Sequence, residues 1–147
     1  MGEKDAEAVS KGGARVLEER FGRKFHCYTP ALIVKDGQSF DYGNVRLTVL
    51  EHPGHTEGTI SILAEGRSGK ILFTGDLFTL KPCTPDDEIQ IEIIRPGSPD
   101  YNEEKNLETL RRLRELPPVD MVAPGHGSIW LGDSRELFET LYRTAKG

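Results

Sequence analysis

Cysteine is nearly absent from this 147-residue chain: Cys27 and Cys83 are the only two. They are too few and too far apart for a zinc thiolate cluster or a Cys-x-x-Cys redox pair, and they read as idle or buried thiols. Long apolar runs are missing as well. None approaches the ~20 residues that cross a bilayer, so no membrane partner is expected. No secretory signal is visible, which points to the cytoplasm. A basic excess is lacking too: 19 Lys and Arg against 24 Asp and Glu leave a net charge of −5. A nucleic-acid-binding domain normally shows a basic face, so nucleic acid is not expected as an obligatory partner. Internal repeats, low-complexity tracts and linkers are not found.

What is present suits one domain over residues 1–147. Hydrophobic residues make up 36% and charged residues 29%, with a mean hydropathy of −0.47, enough for a real core in a chain that is neither disordered nor membrane-spanning. The stretch from Val45 to Leu63 organises the rest. Val45, Leu47 and Val49 alternate with Arg46 and Thr48, Pro53 and Gly54 break the run, and Ile60 and Leu63 open a second β-branched run. That predicts strand, tight loop, strand, with His55 placed to point back across the strand ends. His52 in the same loop reads as a supporting or incidental residue.

Two further stretches repeat the form. The apolar run Ile71 to Thr74 ends in Gly75 and Asp76, and Met121 to Ala123 ends in Pro124, Gly125, His126 and Gly127. If three neighbouring strands deliver His55, Asp76 and His126 to one sheet edge, nitrogen and oxygen donors suited to zinc or a similar divalent metal come together. The candidates lie 21 and 50 residues apart, too far for a zinc finger, so a fold has to assemble them. Each pattern has a bland rival, since a Gly-Asp after a strand is often a turn and a Gly-His-Gly often a loop.

His-Pro-Gly-His-Thr-Glu-Gly-Thr, Phe-Thr-Gly-Asp-Leu and Ala-Pro-Gly-His-Gly resemble, in order, the third, fourth and fifth metal motifs of the metallo-β-lactamase-fold hydrolases. The resemblance implies an α/β fold, namely an incomplete αββα sandwich of that type, comprising its C-terminal half and part of its N-terminal half. It implies that His55 binds one metal, His126 the other, and Asp76 bridges the two, so that the three are both metal ligands and catalytic residues. The implied cofactor is one or two zinc ions, with iron and manganese left open, and the implied reaction is hydrolysis of a small-molecule substrate by a zinc-bound hydroxide. The family's upstream His-x-His-x-Asp-His cluster has no counterpart, because the only histidines are His26, His52, His55 and His126. Residues 3–8 resemble the remainder of a segment that follows that cluster, so the chain is expected to begin partway through the domain. An impaired hydrolase is one expectation; a non-catalytic binding or assembly module that retains a remnant metal site is the alternative. Self-association is expected through the face left open.

Elsewhere, short helices are predicted near 4–10 and 13–21, and four strands between Phe40 and Asp76. His26 reads as a lone surface histidine. The proline-rich segment 77–99 holds the acidic run Asp86 to Glu88 and a β-like run from Ile89 to Ile94, and it lies where substrate-shaping loops usually sit. A helix over 102–116 carries Leu107, Leu110, Leu113 and Leu116 as its buried face, with Arg111, Arg112 and Arg114 solvated. A last helix begins at Asp133 or Ser134 and buries Leu137, Phe138 and Leu141. Thr56 and Thr74 read as hydrogen-bonding residues of the loop and the strand end.

Overall fold

The computed structural model describes residues 1–13, 16–81, 90–94 and 101–147. Cys83, the acidic run Asp86 to Glu88 and most of the proline-rich segment lie outside the described residues. The elements run α1 (Glu3–Lys11), α2 (Glu18–Phe21), β1 (Ser39–Tyr42), β2 (Val45–Glu51), β3 (Ile60–Gly66), β4 (Gly69–Leu80), β5 (Ile91–Ile93), α3 (Glu103–Leu113), β6 (Met121–Gly127) and α4 (Ser134–Lys146). The second predicted helix shrinks to the four residues of α2. Gly12 and Gly13 have positive φ, and Leu17, in front of α2, is itself left-handed at φ 59°. A left-handed residue cannot continue a right-handed helix.

Strands β1 to β4 form an antiparallel meander. β4 is its hub. Its first half pairs with β3, its last residues Phe78 to Leu80 pair antiparallel with β5, and along its other edge it pairs parallel with β6. Expected to end at Thr74, the strand instead runs on through Asp76 to Leu80, and His126 likewise lies within β6. The pattern reads as a strand end because Gly75 takes a left-handed φ of 57° and the β4–β6 register shifts on both sides of it. Such an irregularity bends a strand and re-aims the side chains beside it.

Register defines two faces. Leu63, Leu72 and Val122 are lateral partners on one face. On it pack Leu110 and Leu113 of α3 and Leu137, Phe138 and Leu141 of α4, together with Leu77, Phe78 and Val119, in one buried cluster. Each such side chain taken from water contributes roughly 1.5–3 kcal/mol. The opposite face carries the aligned rows Leu47, Ala64, Ile71, Met121 and Val49, Ile62, Phe73, Ala123. It is apolar throughout these rows, yet Phe73 is 45% exposed. The described residues therefore form an α/β sheet with α3 and α4 on one face and, on the other, apolar rows in which Val49 is buried and Phe73 exposed, in keeping with the expected partial sandwich.

Both last helices are capped by their sequence: Asn102 accepts from the Lys105 amide and Asp133 from the Arg135 amide. The buried face of α3 differs from the leucine row expected. It consists of Asn106, Thr109, Leu110 and Leu113, the 3–4 spacing of a helix, whereas a row spaced by three drifts around the axis and leaves Leu107 on the flank.

Candidate functional site

The loop between β2 and β3 is closed at its base by the His52 amide donating to the Thr59 carbonyl, 3.0 Å, and turned by the Gly54 amide donating to the Thr56 carbonyl, 3.0 Å. One face of α3 holds it from the side. The Asn102 amide donates to the Gly54 carbonyl at 3.0 Å, the Thr109 hydroxyl donates to the Pro53 carbonyl at 2.6 Å, and Arg112 donates to the Glu51 carbonyl at 3.2 Å. Asn106 packs so closely under Gly54 that any side chain at 54 would meet its Cα and Cβ. Residues 102, 106, 109 and 112 fall on one helical stripe. Sequence reasoning passed over them because polar residues in an amphipathic helix read as its solvent face, and Arg112, expected to be solvated, is partly buried in this contact. The available signal was Asn and Thr falling on the same 3–4 spacing as the core leucines.

Thus anchored, the loop brings the His55 Nε2 to 3.8 Å from Asp76 Oδ2, and β6 brings the His126 Nε2 to 3.5 Å from the same oxygen. The three candidate ligands therefore lie side by side, with Asp76 in the middle. Their side chains are 17%, 38% and 66% exposed for His55, Asp76 and His126, so the cluster is recessed on the His55 side and open on the His126 side. The parallel pairing of β4 and β6 sets this geometry, reinforced by the Thr79 hydroxyl donating to the His126 carbonyl at 2.9 Å. Gly125 makes room for the carboxylate: a Cβ there would collide with Asp76 Oδ1 and stand 3.1 Å from the Gly75 carbonyl carbon.

Two imidazole nitrogens and a carboxylate are donors of the kind a divalent cation takes. Their number is short, however. The approaches are pairwise to one oxygen, and among the described residues no three His, Cys, Asp or Glu side chains form a group that would hold a metal ion. His55 Nδ1 is buried and finds no hydrogen-bond partner there either, where metal-binding histidines usually donate to an acceptor.

His52 does not join the cluster. It is 1% exposed and its Nδ1 lies 2.7 Å from the Ser61 hydroxyl. Burial pushes its pKa down to about 4, with Arg112 acting in the same direction and Asp36 against it, so the ring is neutral near pH 7 and serves the base of the loop. His26 is exposed, as expected. Thr56 takes up loop hydrogen bonds. Thr74 does not: its hydroxyl is buried with no partner among the described residues, and β4 continues past it.

A sequence profile of the metallo-beta-lactamase superfamily matches residues 2–126. Acyl-coenzyme A thioesterase MBLAC2 from Homo sapiens is 44% identical over 48 residues, which is 33% of this chain and 16% of that protein. Among solved structures, a beta-lactamase from Chitinophaga pinensis superposes with a TM-score of 0.65 at 20% identity, covering 99% of this chain and 59% of that one. The protein TTHA1623, solved in a di-iron-bound form, superposes with a TM-score of 0.59 at 23% identity, covering 89% of this chain and 58% of that one. The chain thus spans under two thirds of the length of these structures, and its match to the thioesterase is shorter still.

Proposed function

The chain belongs to the metallo-beta-lactamase superfamily, and on that ground we propose that it is a metal-dependent hydrolase of a small-molecule substrate in which His55, Asp76 and His126 hold one or two divalent ions. The observation that carries this reading is the shared oxygen: two imidazole Nε2 atoms, from elements far apart in sequence, flank Asp76 Oδ2 at 3.8 and 3.5 Å. Zinc is the first choice of metal; the di-iron form of one structural neighbour keeps iron in view, and manganese, which favours oxygen donors, would depend most on Asp76. When bound, a zinc ion would lower the pKa of its water into the neutral range and polarise a substrate oxygen. The residues supply the rest. His55 and His126 would offer nitrogen from two sides, Asp76 would offer two oxygens and a charge opposite to that of the cations, and the exposed His126 flank leaves an approach for substrate. Thioesters head the substrate panel, because the human relative is an acyl-coenzyme A thioesterase. The same reading keeps the protein cytoplasmic, without membrane or obligatory nucleic-acid partner; among the described residues no helix is long and apolar enough to cross a membrane.

Catalytic zinc normally has three protein ligands plus water. Three donors shared between two positions give each metal only two, so this chain should carry less than one tightly held ion and turn over slowly. Elemental analysis of the purified protein, with hydrolysis of acyl-coenzyme A, ester and phosphodiester substrates by wild type and Asp76→Ala in excess Zn, Fe or Mn, tests the proposal. Slow, metal-dependent turnover lost in Asp76→Ala is the expected result. No turnover at saturating metal would overturn it in favour of a non-catalytic binding or assembly module with a remnant site, the reading that the absence of a three-donor group among the described residues favours. Near-stoichiometric tight metal with rapid turnover would contradict the ligand-count argument instead.

A further inference from the structure

Residues 3–8 stand out in the sequence yet place no side chain in the cluster around Asp76. The structure gives them a different place. Helix α1 lies with its first turn against the loop that carries His55, and Asp5 uses both carboxylate oxygens there: Oδ1 accepts from the Gly58 amide at 3.1 Å and Oδ2 accepts from the Thr56 hydroxyl at 2.9 Å. Gly58 permits the approach, since a Cβ there would collide with the Asp5 amide nitrogen and stand 2.6 Å from its carboxylate. The Thr56 hydroxyl is itself fixed. Its one proton goes to Asp5, so it accepts from the Thr59 hydroxyl at 2.8 Å, and the Thr59 oxygen accepts in turn from the Thr56 amide at 2.9 Å. The hydroxyl of the residue next to His55 is thereby tied directly to a carboxylate 51 residues upstream, and its amide to the Thr59 oxygen. The Thr56 carbonyl accepts from the Gly54 amide, which closes the loop on the other side of His55.

We propose that Asp5 is a positioning residue for His55: through Thr56 and Gly58 it fixes the backbone on the C-terminal side of the histidine, while α3 fixes the N-terminal side, so that Nε2 is held toward Asp76. This inference rests on the metal-binding reading above for its purpose, but the positioning itself is a property of the metal-free chain. A carboxylate is the group the geometry demands. It accepts two hydrogen bonds from donors of different kind, whereas Asn could keep the Gly58 amide only by presenting its NH2 to the Thr56 oxygen, and Ala keeps neither. Asp5 also sits in the first turn of α1, where a negative charge favours the helix dipole. That role alone would affect helix stability and leave His55 undisturbed.

The test uses the whole 147-residue chain. Imidazole ¹⁵N resonances of the four histidines are recorded without metal for wild type, Asp5→Asn, Asp5→Ala and Thr56→Val, and each protein is then titrated with Co(II), followed by visible absorption. Positioning predicts that His55 signals shift or broaden in Asp5→Ala and Thr56→Val while His126 and His52 stay in place. Co(II) affinity should fall about tenfold in both, as is usual when a residue supporting a metal ligand is lost, with Asp5→Asn between them and wild type. Unchanged His55 resonances and unchanged Co(II) affinity would overturn the proposal, and so would equal displacement of all four histidines. Thr56→Val keeps the Gly58 bond and the shape of the side chain, so it decides the matter where Asp5→Ala fails to fold. A wild type that takes up no Co(II) would refute the metal reading, while the His55 resonances would still decide the role of Asp5.

Discussion

At the scale of single residues, the site depends on atoms that are excluded as much as on atoms that are present. Gly125 has ordinary backbone angles, and what it contributes is the space in which the Asp76 carboxylate sits. Gly125→Ala should therefore displace Asp76 from both histidines with little loss of fold, and metal-dependent turnover should drop at least tenfold while urea unfolding shifts by about 1 kcal/mol. His52 makes a different demand. Its pKa is about 4 in the fold against about 6.5 in the unfolded chain. The unfolded state thus binds more protons between these values, and stability is greatest above pH 6.5 and declines as pH falls toward 4. The loss attributable to this group is on the order of 3 kcal/mol. Urea titrations at a series of pH values, wild type beside His52→Asn, check this: the variant should be less stable near neutrality and show a flatter profile from pH 6.5 to 4.5. Equal slopes would refute the role assigned to burial.

At the scale of elements, α3 combines two tasks on one surface, with Leu110 and Leu113 packed on the sheet and Asn102, Asn106, Thr109 and Arg112 holding residues 51–54. Leu110→Ala should cost about 2–5 kcal/mol as a buried cavity, and Leu107→Ala markedly less, measured by chemical denaturation; comparable losses would return the buried face to the row spaced by three. Thr109→Val keeps the volume and removes the bond to the Pro53 carbonyl, so it should cost roughly 1–2 kcal/mol and weaken Co(II) binding as well. The strands, the two C-terminal helices and the three motif residues are legible in the sequence because each announces itself locally, by alternation, by capping residues, or by an apolar run entering a glycine. The continuation of β4 past Gly75 is not, since a left-handed glycine after an apolar run reads as a turn and it is pairing with β6, and with β5 further on, that carries this strand through. Nor is the role of the polar stripe on α3, because what those residues bind lies some 50 positions away in the chain.

At the scale of the whole molecule, the sheet face opposite α3 and α4 buries Val49 but leaves Phe73, in the same apolar row, 45% exposed. Uncovered apolar patches of this kind seek partners, and the isolated chain should self-associate as its concentration rises. Sedimentation velocity should show this for wild type and show it weakened for Phe73→Lys; an unchanged concentration dependence would place the contact elsewhere. The connectivity of β4 has a temporal consequence. β1 to β4 are joined by short hairpins and a single loop, and contacts between chain neighbours close quickly. The parallel pairing of β4 with β6 must wait until a much longer stretch, including α3, has been gathered in. His126 arrives with β6. In refolding, amide protection should therefore appear in β2 and β3 before β6, and the donors around Asp76 should come together only once β6 docks and part again when it peels away.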